Sequence, residues 1–416
     1  MTSIILLTGI GIGITATAIV LLFILMTDTI LKNGERGPKL SDPYKQYMGI
    51  ETVAGGLSFP TSMDFVDNEN ILVLEKNLGT IRLISLSNSS LQEGTVLVMA
   101  VDIEAERGLL GIATLKDIIN DKNRYMDDST TTKPAKNETK VFLYLMEKLD
   151  TNGQPLVRNR VHSYEWDTRD TNLINSSLIL DLPAETGPYH QGGKLKIGPD
   201  NNLYAVIGDL NTIMGQLQNH KHGTEPNNSS VILRVNLDNG SPVEDNPFVN
   251  IDGLSRYYAY GIRNSFGIDF DPVTGNLWDT ENGEEYYDEV NLVKPGFNSG
   301  WAKMMGPFNR NNLTDGESLV IIPGSEYADP AFSWKEQVGV TDIEFFNSPR
   351  LGTEYTNDIF VGDINNGNLY YFKSMGIGQV YILLEGKTRM NMITETTYKQ
   401  VYNKILLQII KMNYLK

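Results

Sequence analysis

One unit recurs along this chain and constrains its fold more than any other feature. It is an apolar run of strand length, a turn of Gly, Pro, Asp or Asn, and a second strand that opens on Leu-Tyr, Leu-Trp or a similar pair and ends on a small or acidic residue. It reads MDFVDNENILVLEKNLG from Met63, LKIGPDNNLYAVIGD from Leu195, IDFDPVTGNLWDTENG from Ile268 and IEFFNSPRLGTEYTNDIFVGD from Ile343. GLLGIATLKD from Gly108 opens a further copy, followed by a polar insertion from Asn120 to Glu138 and a strand from Val141 to Leu145. Within the first copy, Asn70 to Ile84 spells a hairpin: an apolar run, the turn Lys76-Asn77-Leu78-Gly79, then Ile81 and Leu83 alternating with Thr80 and Arg82. Small antiparallel sheets of this kind bury their faces against neighbours like themselves, so the pattern predicts an all-β, six-bladed β-propeller. A large sandwich with coincidental turns is the plainer alternative.

Two stretches depart from this grammar. Ile4 to Met26 runs without a charge and, at about 1.5 Å per residue, is long enough for a helix to cross a bilayer. Residues 1–32 are therefore expected to be a single transmembrane helix, an uncleaved anchor rather than a signal peptide, because the head is uncharged and the apolar run is long. Residues 33–50 read as a linker and 51–388 as the propeller. The tail, 389–416, lacks Gly, Pro and Asp and carries five Lys or Arg against one Glu; it reads as a helix or an unpacked basic segment, leaving the last blade incomplete. Lys32, Arg36 and Lys39 after the span would hold that side in the cytoplasm. Six Asn-x-Ser/Thr triplets, at Asn88, Asn137, Asn175, Asn227, Asn228 and Asn312, argue instead for an exported domain. The expectation is a single-pass protein of the cell membrane with its propeller outside.

A formal charge of −16 disfavours nucleic acid as a partner, and the absence of cysteine excludes disulfides, thiolate metal sites and cysteine nucleophiles. Chemistry must then come from few residues. Of four histidines, His190 stands in Gly187-Pro188-Tyr189-His190-Gln191-Gly192-Gly193, at a loop-to-strand junction, where an imidazole can act as general base when a carboxylate orients it. Asp209, at the end of the partner strand, can supply that carboxylate; a solvated structural histidine is the plainer reading. His220 and His222 in a polar loop have weak metal-site spacing. Arg263, in Tyr260-Gly261-Ile262-Arg263-Asn264-Ser265-Phe266-Gly267, offers a cationic fork for a carboxylate or a developing oxyanion, or else a surface ion pair. The carboxylate-rich run Glu281-Asn282-Gly283-Glu284-Glu285 with Asp288-Glu289-Val290-Asn291 suits Ca2+ as well as solvent.

Taken in order, five segments resemble the glucose/sorbosone dehydrogenase family, the pyrroloquinoline quinone-dependent soluble glucose and aldose sugar dehydrogenases. They are ERGLLGIA from Glu106, HQGGKLKIGPDNNLYAVIGD from His190, ILRVNLDNGSPVEDNPF from Ile232, YAYGIRNSFGIDFDPVTGNLWDTENG from Tyr258 and DEVNLVKPGFNSGW from Asp288. The resemblance runs from about Gly55 to Phe372 and is strongest from Tyr189 to Trp301. It implies a six-bladed propeller holding the quinone and Ca2+. By this resemblance His190 is the base that takes the sugar's C1 hydroxyl proton, Asp209 orients it, and Arg263 with Asn264 contacts the quinone oxygens. Gly283 and Glu284 would present backbone carbonyls to the cofactor's Ca2+, and Glu289 would bind a second, structural calcium.

The departures are equally specific. Glu284 replaces the family's usual Pro, Glu106 stands for a Gln and Tyr189 for an Asp at the cofactor's edge, and Asn365 aligns near a Lys that pairs with a cofactor carboxylate. Two further Arg of the last blade find no match. The implied partners are a sugar, an electron acceptor such as a membrane quinone or a small redox carrier, and the membrane. The competing expectation is a non-catalytic propeller that binds carbohydrate or protein, its cofactor site lost.

Overall fold

Aspartates set the turns of the recurring unit. The Oδ1 atoms of Asp67, Asp200 and Asp271 accept the backbone N–H two residues on, from Glu69 at 2.8 Å, Asn202 at 3.2 Å and Val273 at 2.8 Å. Each of these side chains replaces a backbone turn bond and folds the chain back on itself. The Asn70–Ile84 hairpin forms as its sequence expects, with Glu75 opposite Thr80. Gly79 closes its loop at φ +63°, where a Cβ would collide with the Met99 carbonyl.

The structure is a computed structural model and describes residues 48–116, 139–184, 187–212, 214–308, 319–349 and 353–374, with the short segments 2–9, 21–25, 380–381, 388–389 and 407–409. Four sheets are complete antiparallel blades. Blade one comprises Pro60–Phe65, Asn70–Glu75, Thr80–Ser85 and Ser90–Leu91; blade two comprises Leu109–Lys116, Thr139–Thr151, Gln154–Asp167 and Asn172–Leu182. In blade three, Leu195–Ile197, Asn202–Ile207, Val231–Asn236 and Tyr257–Tyr260 are extended by the parallel two-residue strands Phe297–Asn298 and Glu326–Tyr327. Ser265–Phe270, Leu277–Glu281, Asp288–Val293 and Phe332–Trp334 make blade four. A fifth sheet has three long strands, Val340–Phe346, Asp358–Asp363 and Asn368–Ser374, the last of which also pairs with Val380–Tyr381 and Thr388–Arg389.

The architecture is thus all-β and propeller-like, as expected, but among the described residues four complete blades replace the expected six. The remaining sheet is built from both ends of the chain, in the order Leu407–Ile409, Leu21–Leu25, Thr2–Gly9, Met48–Leu57. This also corrects the expected membrane helix: the described parts of the apolar segment are strands, and no helix among the described residues is long and apolar enough to cross a membrane. Ile and Thr favour an extended backbone, and Thr2–Gly9 finds a partner in Met48–Leu57 that satisfies its peptide groups. Residues 10–20 lie outside the described residues. In the tail, Leu407–Ile409 is a strand rather than a helix, and Asn137 and Asn312 are not described.

Apolar layers between blades form the core. Leu72, Leu74 and Ile81 of blade one meet Val141, Leu143 and Leu145 of blade two. Phe142, Tyr144 and Val161 meet Leu203, Ala205 and Leu233 of blade three. Tyr204 and Ile232 meet Ile268 and Leu277, and Trp278 meets Ile343 and Phe345. Each such aliphatic or aromatic side chain, fully buried, contributes about 1.5–3 kcal/mol. First strands of neighbouring sheets pack on one another, and polar ties join them. The Asp64 carboxylate accepts Thr114 N–H at 2.8 Å, Lys196 bridges Asp269 at 2.6 Å and Glu344 at 3.2 Å, and Lys194 pairs with Asp342.

Candidate functional site

The loop joining blades two and three ends on glycines that press it into the ring. A Cβ on Gly193 would overlap the Leu110 side chain, and one on Gly111 would overlap the Gly193 carbonyl, so loop and blade meet backbone to backbone. His190 lies within this loop at φ 58°, and Leu210 and Asn211 opposite it sit at 52° and 62°. Left-handed backbone at three non-glycine residues holds the strained geometry often found at functional sites.

These conformations bring His190 and Asp209 together: Nδ1 of His190 lies 2.7 Å from Oδ1 of Asp209. Asp209 is fully buried, and its carboxylate is also met by Asn211 N–H at 2.8 Å and by Trp301 Nε1–H at 2.7 Å. A carboxylate oxygen accepts, so the Nδ1–H tautomer of His190 is the one that suits this contact, and it presents the lone pair of Nε2. The imidazole remains 16% exposed, enough for a substrate to reach it.

Arg263 borders this pair. Its carbonyl accepts Asp209 N–H at 2.9 Å, its guanidinium lies over the Trp301 ring at 5.3 Å, and its Nη1 donates to the Asn282 carbonyl at 2.9 Å. Its Nε is buried with no acceptor among the described residues, a donor that a carboxylate or quinone oxygen would satisfy. Asn264 turns its amide to Glu106, 3.2 Å from Oε1, while its Oδ1 accepts Gly192 N–H at 3.3 Å. Glu106 in turn accepts Gln191 N–H at 3.2 Å. Glu106, Asn264 and the His190 loop therefore form one buried hydrogen-bonded unit. Tyr189 stands at its edge, 36% exposed.

The calcium expectations fare differently. The Gly283 carbonyl accepts Gln337 Nε2–H at 2.6 Å, and Gly283 N–H donates to Asp288. Glu284 is exposed. Glu289 is buried with Glu281 directly opposite on the neighbouring strand, and its carboxylate accepts from Gly306 N–H and Asn291. Asp279 shares that face, fully buried, with neither carboxylate oxygen meeting a donor in good geometry. Burial, with the charge of Glu281, pushes Asp279 and Glu289 well up; burial pushes Glu281 to about 7. Among the described residues no three His, Cys, Asp or Glu converge on one metal position. The oxygen-only chemistry of this face, including the unpartnered Oδ1 of Asn291, still fits a hard divalent cation. His222 is exposed in its loop, and Asn365 lies beside Gln337, its Nδ2 3.5 Å from that carbonyl.

Sequence reasoning missed Trp301 and Glu281 as parts of this arrangement. Both lay inside quoted segments: Trp301 meets Asp209 across 92 residues of chain, whereas Arg263 and Glu281 flank one hairpin, 18 residues apart, a placement the sequence could have shown.

The glucose / sorbosone dehydrogenase family model matches residues 57–402, more than half of the chain. The chain is 26% identical over 321 residues to an uncharacterized protein of Synechocystis, covering 75% of this chain and 72% of that one. It is 29% identical over 270 residues to quinoprotein glucose dehydrogenase B of Acinetobacter calcoaceticus, covering 62% and 52%, and 27% identical over 201 residues to aldose sugar dehydrogenase YliI of Escherichia coli, covering 46% and 49%. The chain thus spans about half the length of these two dehydrogenases. Among solved structures, the PQQ-bound aldose sugar dehydrogenase of Streptomyces coelicolor matches with a TM-score of 0.57 at 23% identity, over 78% of this chain and 80% of that one. The apo form of the soluble Escherichia coli aldose sugar dehydrogenase matches with a TM-score of 0.60 at 20% identity, over 79% and 88%. At these identities the structural likeness is one of fold.

Proposed function

The chain belongs to the glucose/sorbosone dehydrogenase family, and we propose that it is a quinoprotein dehydrogenase that oxidises an aldose or related sugar at C1, using pyrroloquinoline quinone and Ca2+. The observation that carries this reading is the 2.7 Å His190–Asp209 pair beside Arg263. His190 Nε2 receives the proton of the C1 hydroxyl, and Asp209 stabilises the resulting imidazolium. The C1–H bond breaks with its electron pair leaving as hydride, and the carbonyl of a lactone forms at C1. When bound, pyrroloquinoline quinone supplies the two-electron acceptor for that hydride.

Arg263, through its unused Nε, and Asn264 would hold the quinone, with Glu106 and Tyr189 at its edge. The backbone of Gly283 and Glu284 would hold the cofactor's Ca2+, and Glu289 the second calcium. The reading also carries an electron acceptor, a membrane quinone or small redox carrier, and a propeller outside the cell membrane. Names of the relatives support the sugar and the quinone as the classes to test.

The test is titration of the full chain with pyrroloquinoline quinone and Ca2+, followed by quinone absorbance, then addition of aldoses with an artificial electron acceptor. Expected are saturable binding and sugar-dependent reduction that His190→Ala abolishes. A folded protein that does not bind the quinone would refute the reading. It would support the second one, a carbohydrate- or protein-binding propeller, which the engagement of Asn264 by Glu106 and of the Gly283 carbonyl by Gln337 favours.

A further inference from the structure

Glu281 lies at the end of the Leu277–Glu281 strand, fully buried, and touches neither His190 nor Asp209 by any hydrogen bond. Its two oxygens nevertheless close a ring of contacts that passes through Asp209. Oε1 accepts the backbone N–H of Arg263 at 2.6 Å, and Oε2 accepts the Ser299 hydroxyl at 2.6 Å. On the far side of the same residue, the Arg263 carbonyl takes the N–H of Asp209 at 2.9 Å. Two residues beyond Ser299, the Trp301 indole N–H reaches the Asp209 carboxylate at 2.7 Å. The ring therefore runs Glu281, Arg263, Asp209, Trp301, Ser299 and back to Glu281.

We propose that Glu281 is a positioning residue for the His190–Asp209 base. One carboxylate ties together the two segments that fix Asp209, one through its backbone and one through its side chain. A polar atom inside this wall has no water to replace a lost partner, so removing the carboxylate leaves Arg263 N–H and Ser299 to rearrange, and Asp209 moves with them. The backbone bonds of Ser299 to Tyr260 at 3.0 Å and of Trp301 to Gly261 at 3.2 Å keep the segment near its place. The expected defect is accordingly one of alignment rather than of fold. The proposal rests on His190 being the base, and its primary readout is independent of any cofactor or sugar.

The experiment compares wild type, Glu281→Ala and Glu281→Gln as full chains without added cofactor, by NMR of the His190 side chain, assigned with His190→Gln. In wild type the imidazole is expected to show a downfield, slowly exchanging Nδ1 proton bonded to Asp209. Glu281→Ala is expected to lose that resonance, whereas Glu281→Gln, whose amide oxygen still accepts Arg263 N–H, retains it. If the sugar reaction is present, kcat falls about 10- to 100-fold in Glu281→Ala with KM little changed, and Glu281→Gln restores most of it. Should Glu281→Ala not fold, Glu281→Asp withdraws the carboxylate by one methylene and gives the same readout. A folded Ala or Asp variant that keeps the wild-type His190 resonance overturns the proposal, as does loss of the resonance in Glu281→Gln to the same extent. Absence of sugar-dependent reduction in wild type, with the resonances behaving as expected, removes the dehydrogenase reading and leaves the positioning role intact.

Discussion

Raising the pH from about 5 to about 7 should destabilise this protein, because three carboxylates are buried together on one face of blade four. Burial raises Glu281 from its ordinary 4.5 to about 7, and Asp279 and Glu289 move in the same direction. Below 4.5 the folded and unfolded chains both hold the Glu281 proton, and this stability is fully present. Above it the unfolded chain releases the proton while the folded one retains it, so stability falls until the pH passes about 7. At about 1.4 kcal/mol per pH unit, that span amounts to about 3 kcal/mol from Glu281 alone. The side chain is fully buried, so solvent does not screen the effect.

Asp102, Asp181 and Asp200, held below their ordinary 3.8, act outside this window. The perturbation that isolates the cluster is Asp279→Asn, which removes one titrating group and offers a donor to the unpartnered Oδ1 of Asn291. Urea denaturation across the window, with chelator present, should give a shallower pH slope for the variant and greater stability than wild type at neutral pH by about 1–3 kcal/mol. Added Ca2+ should stabilise wild type more at pH 7 than at pH 5, because a cation replaces the retained protons. Wild-type stability that rises over this window, or an unchanged slope in Asp279→Asn, would refute the reasoning.

Two further outcomes are expected. Trp301→Phe keeps an aromatic face under Arg263 but removes the N–H that meets Asp209 at 2.7 Å; steady-state kinetics should show kcat reduced at least about tenfold with KM nearly unchanged. Lys194→Met strands Asp342, which burial already raises to about 6 despite the lysine, and should lower stability by about 3–5 kcal/mol at neutral pH. Combining it with Asp342→Leu should recover most of that loss in the same denaturation assay.

What could be read in advance was local. Asp67, Asp200 and Asp271 mark turns because each side chain bonds its own backbone two residues on, an interaction contained within the segment itself. The same holds for the hairpin from Asn70 to Ile84. His190 and Asp209 were legible as a pair because they flank one short hairpin, 19 residues apart. In the segment from Ile4 to Met26, Ile, Leu and Val in an uncharged run suit a membrane helix and a strand alike; of its described parts, Thr2–Gly9 pairs with Met48–Leu57 and Leu21–Leu25 pairs with Thr2–Gly9.

The sequence by itself therefore determined the all-β class, the recurring hairpin and the residues from which the candidate base is drawn. Only the tertiary structure decided the number of complete blades, the donor that Trp301 brings to Asp209, the ring that Glu281 closes and the pairing of Lys194 with Asp342 across 148 residues. Those contacts join segments that are separated along the chain, and a side chain's partner there depends on how the sheets twist and stack.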